Sequence, residues 1–436
     1  MSDYMFVLES HLTGEQSKVL SEIRDAAERE SLNIFLTGGA MRDMMGGFPI
    51  RDLDFTVEGL AVKLGKAIAH KNGAEIVLVD DLRKTVEIRF RGGVTASLAM
   101  ARQERYARPG AKPQIEPATI HEDLRGRDFT VNAIALSLGK ASRGLILDPT
   151  NGLGDLSSKE LRAVNNHALC DDPSRMLRMI RLRVRLGFAV DERTLAQYQG
   201  AREAKLETKI SPAALKHELQ QIAIDPLAGD ILKALEDEKL LELISAALAG
   251  PKLNLAGFQK LQKARQALPF GTSLAVDSHA LFFYLLFEKL TPKERSQITQ
   301  SLGLERSEVD RAARLESRSL KVEKELARAK IHRPSELYAL LSKVPGEILF
   351  LLLMRSGQRL VIDRIKNYLQ KYLPAAQEIT AKEVIEHGAE PGTAKYTKVQ
   401  QQLIAARLDA RPKKPVVEEA PPAPPPGPRR SASFAR

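Results

Sequence analysis

The sequence predicts an α+β N-terminal domain with a small mixed sheet, followed by an all-helical C-terminal half. Three observations carry that prediction. Short apolar runs of strand length alternate with helical stretches over roughly the first 155 residues. From Asp155 onward strand signals fade, and Leu, Ala, Glu, Lys and Arg recur at helical spacing. Hydrophobic residues make up 43% of the 436 residues, enough to build real cores over two to four modules.

The elements read in order as follows. Gln16 to Ser31 has the pattern of a helix, and Asn33 to Thr37 that of a short buried strand. Gly38-Gly39 breaks the strand, Ala40 to Met45 gives one or two helical turns, and Gly46-Gly47-Phe48-Pro49 is a turn. Asp52 to Val57 reads as a second strand and Ala61 to Asn72 as a helix. Glu75 to Val79, Thr85 to Phe90 and Thr95 to Ala101 read as further strands. Beyond them, Asp230 to Ala247, Leu281 to Leu302 and Glu347 to Tyr372 read as long helices, with no repeat of fixed period. The expected division is 1–155, 156–225, 226–410 and a tail, 411–436. That tail holds eight of the 23 prolines and six Lys or Arg against two Glu, so it reads as disordered and basic.

Composition narrows the function classes. No run approaches the roughly 18 apolar residues of a spanning helix. The richest stretch, Ile348 to Met354, ends in Arg355. Met1-Ser2-Asp3-Tyr4 has neither a basic n-region nor an apolar h-region, so a cytoplasmic location without a membrane partner is expected. Cys170 is the single cysteine, which excludes an intramolecular disulfide, a multi-cysteine zinc site and an iron–sulfur cluster. The eight His residues form no H-x-x-x-H or H-E-x-x-H pair. A formal charge of +11 favours a polyanionic partner. Aromatic residues at 5% and the absence of Trp argue against a stacking-rich single-strand binder.

The most informative stretch is Gly38-Gly39-Ala40-Met41-Arg42-Asp43 followed by Arg51-Asp52-Leu53-Asp54. Alternate residues of a strand share a face, so Asp52 and Asp54 point the same way. Two carboxylates that close repel unless a divalent cation neutralises them, and hard oxygen ligands favour magnesium. A Gly-Gly turn entering a helix presents bare N–H groups to phosphate oxygens, and Arg42 lies one turn on. The combination resembles the polymerase-β-type nucleotidyltransferase superfamily. Its longer form, G-G-x-x-R-D then D-x-D, is similar to the class II tRNA nucleotidyltransferase and bacterial poly(A) polymerase branch.

Two further motifs extend the resemblance. Glu122-Asp123-Leu124-Arg125-Gly126-Arg127-Asp128-Phe129-Thr130-Val131-Asn132-Ala133 is similar to that branch's E-D-L-x-R-R-D-F-T-I-N-A, with Gly126 in place of the first Arg of the pair. The resemblance implies that Arg127 contacts the nucleotide and that Asp128 and Asn132 serve sugar recognition and hold the loop. Asp171-Asp172-Pro173-Ser174-Arg175-Met176-Leu177-Arg178 resembles the E-D-x-x-R-x-x-R motif. An Asp that accepts and an Arg that donates match a base edge as a pairing base does, and three residues apart they face one way on a helix. By resemblance, Asp172 and Arg175 select CTP or ATP, and Arg178 belongs to the nucleotide site. Arg178, Arg181 and Arg185 form one stripe between apolar flanks, which reads as a wedge aimed at phosphate.

The match continues through Asp148 to Leu156, and Ile379 to Asp409 resembles the branch's tRNA-contacting segment. Two departures stand out. Ser97 occupies the position where many members carry a third acid, with Glu87 in a neighbouring predicted strand as a candidate substitute, and Ala213-Ala214 replace a usual Glu-Arg. The resemblance thus implies a catalytic head over 1–155, a nucleotide-selecting neck over 156–225, and a tRNA-binding body and tail over 226–410. The implied reaction (class 2.7.7) adds CMP and AMP, as C-C-A, to the 3′ end of the tRNA acceptor arm, with Mg2+ held by Asp52 and Asp54. Addition of A alone stays open, because Thr56-Val57-Glu58-Gly59 resembles the subgroup with A-adding members. Poly(A) addition and a non-catalytic RNA-binding relative are the other readings. The basic G-R-R-F-R-L-type segment of poly(A) polymerases is missing, Arg89-Phe90-Arg91 being its nearest approach. Oligomeric state is not legible.

Overall fold

The computed structural model describes residues 4–328 and 330–410, so the expected basic tail lies outside the described residues. Two helices, Tyr4–His11 and Gly14–Arg29, precede nine strands that alternate with further helices: β1 Asn33–Thr37, β2 Leu53–Glu58, β3 Glu75–Asp80, β4 Thr85–Arg89, β5 Thr95–Met100, β6 Arg102–Arg105, β7 Gln114–Pro117, β8 Ala135–Ser137 and β9 Ile146–Leu147. Seven of them form one sheet in the order β3-β4-β5-β2-β1-β8-β9, while β6 and β7 form a separate antiparallel ribbon. Within the seven-stranded sheet β2 and β5 run parallel and the other neighbours antiparallel, so the sheet is mixed as expected.

Alternation decides the two faces of the sheet. Val86, Ile88, Ala96, Leu98, Leu53 and Phe55 point to one face and are buried. The helix Ala61–Asn72 covers that face. It approaches closely because Gly65 has no side chain; a Cβ there would lie 2.3 Å from Val86 Cγ1. The opposite face carries Asp54, Ser97 and Glu87 in one row, since Asp54 pairs with Ser97 across β2 and β5 and Glu87 pairs with Ser97 across β4 and β5.

The helix Ala61–Asn72 has the expected ends, and the five expected strands agree within two residues. The strands β8 and β9 and the ribbon were not expected, because runs of two to four residues are too short to show periodicity. The three long helices need correction. The first ends at Asp237 and continues as 3-10 turns. The second is two helices, Ser278–Phe287 and Pro292–Leu302, because Thr291 caps the latter and Pro292 takes its first turn. The third is Gly346–Arg355 and then Arg359–Asn367 with a π turn, Tyr368–Tyr372, broken at Ser356-Gly357-Gln358.

The chain divides into two compact units, one of residues 1–264 with 276–319, the other of 265–275 with 320 onward. The first unit holds the sheet and, among its helices, Ser278–Phe287, whose residues Ala280 to Phe287 are all buried. Phe258, Phe282, Phe283 and Phe287 stack there at centroid separations of 5.5 to 5.6 Å. The second unit packs Pro334–Leu341, Ala381–Glu386 and Ala394–Asp409 around Ile379, Val384, Ile404 and Leu408. Its Asp409 accepts from Ser335 N at 3.0 Å and from Ser335 Oγ at 2.7 Å, and Arg407 pairs with Glu383 at 2.9 Å. Among the described residues no single helix is long and apolar enough to cross a membrane.

Candidate active site

Asp52 and Asp54 stand at the start of β2, on the face opposite the covering helix. Asp54 Oδ1 accepts a hydrogen bond from Ser97 Oγ at 2.8 Å. Burial pushes the Asp54 carboxyl up, against the pull of Ser97, Arg127, Arg42 and the Gly39 N–H. Asp52 keeps an open face to solvent, yet the crowding of protein around it, then repulsion from Asp54, Glu87 and Asp43, raises its carboxyl to about 7. Glu87 is also raised, by burial and by Asp54, with Arg89 opposing. Among the described residues neither Asp52 nor Asp54 is tied into an ion pair with an arginine: Arg42 binds Asp43, and Arg127 binds Asp123. Such a crowded carboxylate pair fits a hard divalent cation. Among the described residues no group of three His, Cys, Asp or Glu side chains is assembled to hold a metal, so two carboxylates from the chain leave the remaining positions to phosphate and water.

Beside the pair, the helix Gly38–Met45 begins at Gly38, whose φ of 65° only glycine adopts freely. No side chain caps this helix, because Thr37 Oγ1 is engaged instead with Thr56 Oγ1 at 2.9 Å. The Gly39 N–H turns to Asp54, and the N-terminal end of this helix as a whole faces the carboxylate pair and favours an anion beside it. A Cβ on Gly38 or Gly39 would lie 3.5 or 3.3 Å from Asp54 Oδ2, so the glycines keep backbone and carboxylates in one small space. Arg127 is fixed there by Asp123 at 2.9 Å, Thr56 Oγ1 at 2.8 Å, Thr37 Oγ1 at 3.2 Å and the Asn132 carbonyl at 3.2 Å. Arg42 is buried, donating to Asp43 at 2.7 and 2.9 Å and to Asn132 Oδ1 at 2.8 Å. It thus holds Asn132 rather than standing free for phosphate. Asn132 in turn donates to Asp128 Oδ1 at 3.0 Å.

The second side of the site is the helix Ser174–Leu186. Asp172 Oδ1 accepts from Ser174 N at 3.0 Å and from Ser174 Oγ at 2.6 Å. Arg175 donates to the carbonyls of Arg127 and Gly126, both at 3.2 Å, which ties the base-selecting motif to the motif before it. The arginine stripe corrects the expectation of a free phosphate wedge. Arg178 reaches Asp128 at 2.7 Å and Glu218 at 2.8 Å, Arg181 reaches Glu218 at 3.0 Å, and Arg185 reaches Asp43 at 2.7 Å. Guanidinium groups buried at a helix interface need carboxylate partners, and this chain supplies them. The Arg178 and Arg175 charges and the Arg178 hydrogen bond depress Asp128 far below the usual carboxylate range, against the effect of burial. Glu218 falls to about 2 although burial opposes it, through Arg181 and Arg178.

Sequence reasoning missed Glu218, Asp43, Asp123 and Asp225. Glu218 had a signal: an acid among Leu215, Leu219 and Ile222 on the buried face of the helix Pro212–Ala223. Asp225 is fully buried, 3.6 Å from Arg51 and 3.7 Å from Arg185, and only the tertiary fold brings those groups together.

Residues 34–162 match the model of the Poly A polymerase head domain. An A-adding tRNA nucleotidyltransferase of Aquifex aeolicus is 30% identical over 356 residues, covering 78% of this chain and 40% of that protein. A CC-adding tRNA nucleotidyltransferase of Deinococcus radiodurans is 34% identical over 201 residues, covering 46% of this chain and 52% of that protein. The chain spans about half the length of the curated relatives it matches. Among solved structures, a tRNA nucleotidyltransferase complexed with a primer tRNA and an incoming ATP analog superposes with a TM-score of 0.51 at 26% identity, over 80% of this chain and 98% of that one. A CCA-adding enzyme in an apo form superposes with a TM-score of 0.53 at 21% identity, over 93% and 95%. Residues 34–162, with their intact Gly-Gly and D-x-D site, thus match the Poly A polymerase head domain, and the chain is similar to tRNA nucleotidyltransferases over most of its length.

Proposed function

We propose that the chain is a template-independent tRNA nucleotidyltransferase that adds CMP and AMP to the 3′ end of tRNA from CTP and ATP. The observation that carries this reading is the crowding of Asp52 and Asp54, without an arginine ion pair among the described residues, beside the N-terminus of the helix Gly38–Met45. The N-terminus of Gly38–Met45 orients the triphosphate, and Arg127, pinned on four sides, adds a fixed positive charge against it. Asp128 and Asn132 are held by Arg178 and Arg42 and present a rigid polar edge to the sugar. Asp172 and Arg175, at the entry to the helix Ser174–Leu186, would select the base. Asp52 and Asp54 would hold magnesium, which would supply activation of the RNA 3′-hydroxyl and neutralisation of the charge that develops on phosphate. The helical part of the chain grips the acceptor arm by shape and phosphate contacts. The chemistry leaves no covalent intermediate on the protein.

A second reading is A addition alone. The Thr56-Val57-Glu58-Gly59 segment and the A-adding relatives favour it. Incubation with tRNAs lacking one, two or three terminal nucleotides, magnesium, and CTP or ATP separately distinguishes the products. C followed by A supports the first reading, and A only on tRNA ending in C-C supports the second. RNA binding without any incorporation overturns both.

A further inference from the structure

Resting on nucleotidyl transfer at the Asp52 and Asp54 site, we infer that Asp225 is a positioning residue for that reaction, holding the segment that carries Asp52 against the base-selecting helix. The sheet itself does not hold that segment. The pairing of β2 with β5 starts at Leu53 and that with β1 at Phe55, so Asp52 stands just outside the ladder. Its approach is anchored from elsewhere in the first unit. Buried Gln16 donates to the Ile50 carbonyl at 3.0 Å, and Arg51 lies 3.6 Å from Asp225. Asp225 is fully buried, just beyond the helix Pro212–Ala223. Its Oδ1 accepts from Leu227 N at 3.0 Å, which fixes the carboxylate locally. Its Oδ2 meets two guanidinium groups, Arg51 at 3.6 Å and Arg185 at 3.7 Å. Arg185 already has a carboxylate in Asp43 at 2.7 Å, which Arg42 shares. Asp225 is therefore not needed to neutralise Arg185 alone; it joins Arg185 to Arg51. A buried ion pair gains little net stability over apolar packing, so its contribution here is the geometry it imposes. One helix thus meets both sides of the site. Glu218 within it holds Arg178 and Arg181 of Ser174–Leu186, and Asp225 past its end holds Arg185 of that helix and the residue before Asp52. A displacement of Pro212–Ala223 moves the base-selecting side chains and the approach to Asp52 together.

The test is a double-mutant cycle on the full chain, read as incorporation of AMP into tRNA ending in C-C. Asp225→Asn keeps the acceptor for Leu227 N and removes the charge that faces Arg51 and Arg185. It should lower kcat about tenfold, short of the roughly hundredfold that a larger misplacement of reacting groups costs, and leave KM for ATP unchanged. Arg51→Gln should do the same. The double variant should be no slower than either single one, because both changes break the same pair. Circular dichroism checks each fold; should Asp225→Asn not fold, Arg51→Gln decides alone, since that side chain is partly exposed. Wild-type kcat in both single variants beside an inactive Asp52→Ala overturns the role of Asp225 and leaves the proposed function standing. Losses that multiply in the double variant, or a raised KM at unchanged kcat, overturn that role as well. Undiminished incorporation by Asp52→Ala overturns the proposed function, and the role of Asp225 with it.

Discussion

Two acidic regions a few residues apart in space behave in opposite ways. On the sheet, Asp52, Asp54 and Glu87 crowd one another without an arginine between them, and all three carboxyls are pushed up. Around the helix Ser174–Leu186, Asp128 and Glu218 are each gripped by its arginines and held far down. Burial is common to both regions, so partner charge makes the difference. The satisfied region is scaffold: it fixes where Asn132, Asp128 and the start of Ser174–Leu186 stand. The unsatisfied region awaits a charge that the chain itself does not provide.

The largest way to break that contrast is to remove a carboxylate from the sheet. Asp54→Ala or Asp52→Ala should lower nucleotide incorporation by about 10²–10³-fold or more, the scale of losing a preorganised electrostatic contact. The same changes should leave unfolding in denaturant unchanged or shifted toward greater stability, since a repulsion is relieved. On the helix the sign reverses. Glu218→Ala leaves Arg178 and Arg181 buried without their shared partner and should destabilise the first unit by about 3–5 kcal/mol in a denaturant titration.

pH should separate the regions further. With its carboxyl near 7, Asp52 holds a proton in the folded, metal-free chain at pH 5 to 6. A raised folded value means that its stabilising effect is complete below the ordinary carboxylate range and is lost as pH climbs through about 7. A cation must displace that proton, so apparent Mn2+ affinity should rise about tenfold per pH unit below 7 and level off above it. Glu218 is depressed to about 2, so its contribution is present above the usual range and fades only as pH falls through 2. Near-ultraviolet circular dichroism should therefore be the same at pH 5 and pH 8 while metal binding is not. The smallest change expected is that of Ser97→Ala. It removes one hydrogen bond to Asp54, a net contribution of about 1 kcal/mol, so metal affinity in the same titration should shift by less than about tenfold.

How much of this was legible in the sequence follows the same division. The carboxylate pair, the Gly-Gly turn and the five strands of the first hundred residues are local features, written in spacing of two and in glycine. Glu87 could be placed in a neighbouring strand, but its alignment with Asp54 across Ser97 is a matter of register, which one strand's sequence does not contain. The arginine stripe was visible and its target was not. Periodicity says that Arg178, Arg181 and Arg185 share a face, but their partners lie 37 to 142 residues away at Asp128, Glu218 and Asp43. Helix lengths failed where Thr291-Pro292 and Ser356-Gly357 interrupt an otherwise continuous apolar pattern.

The most direct test of the account is incorporation of labelled CMP and AMP into truncated tRNA by wild type and Asp52→Ala, run beside tRNA binding by the same two proteins. Wild type should show magnesium-dependent incorporation, Asp52→Ala none, and both equal tRNA binding. Undiminished incorporation by Asp52→Ala would contradict it.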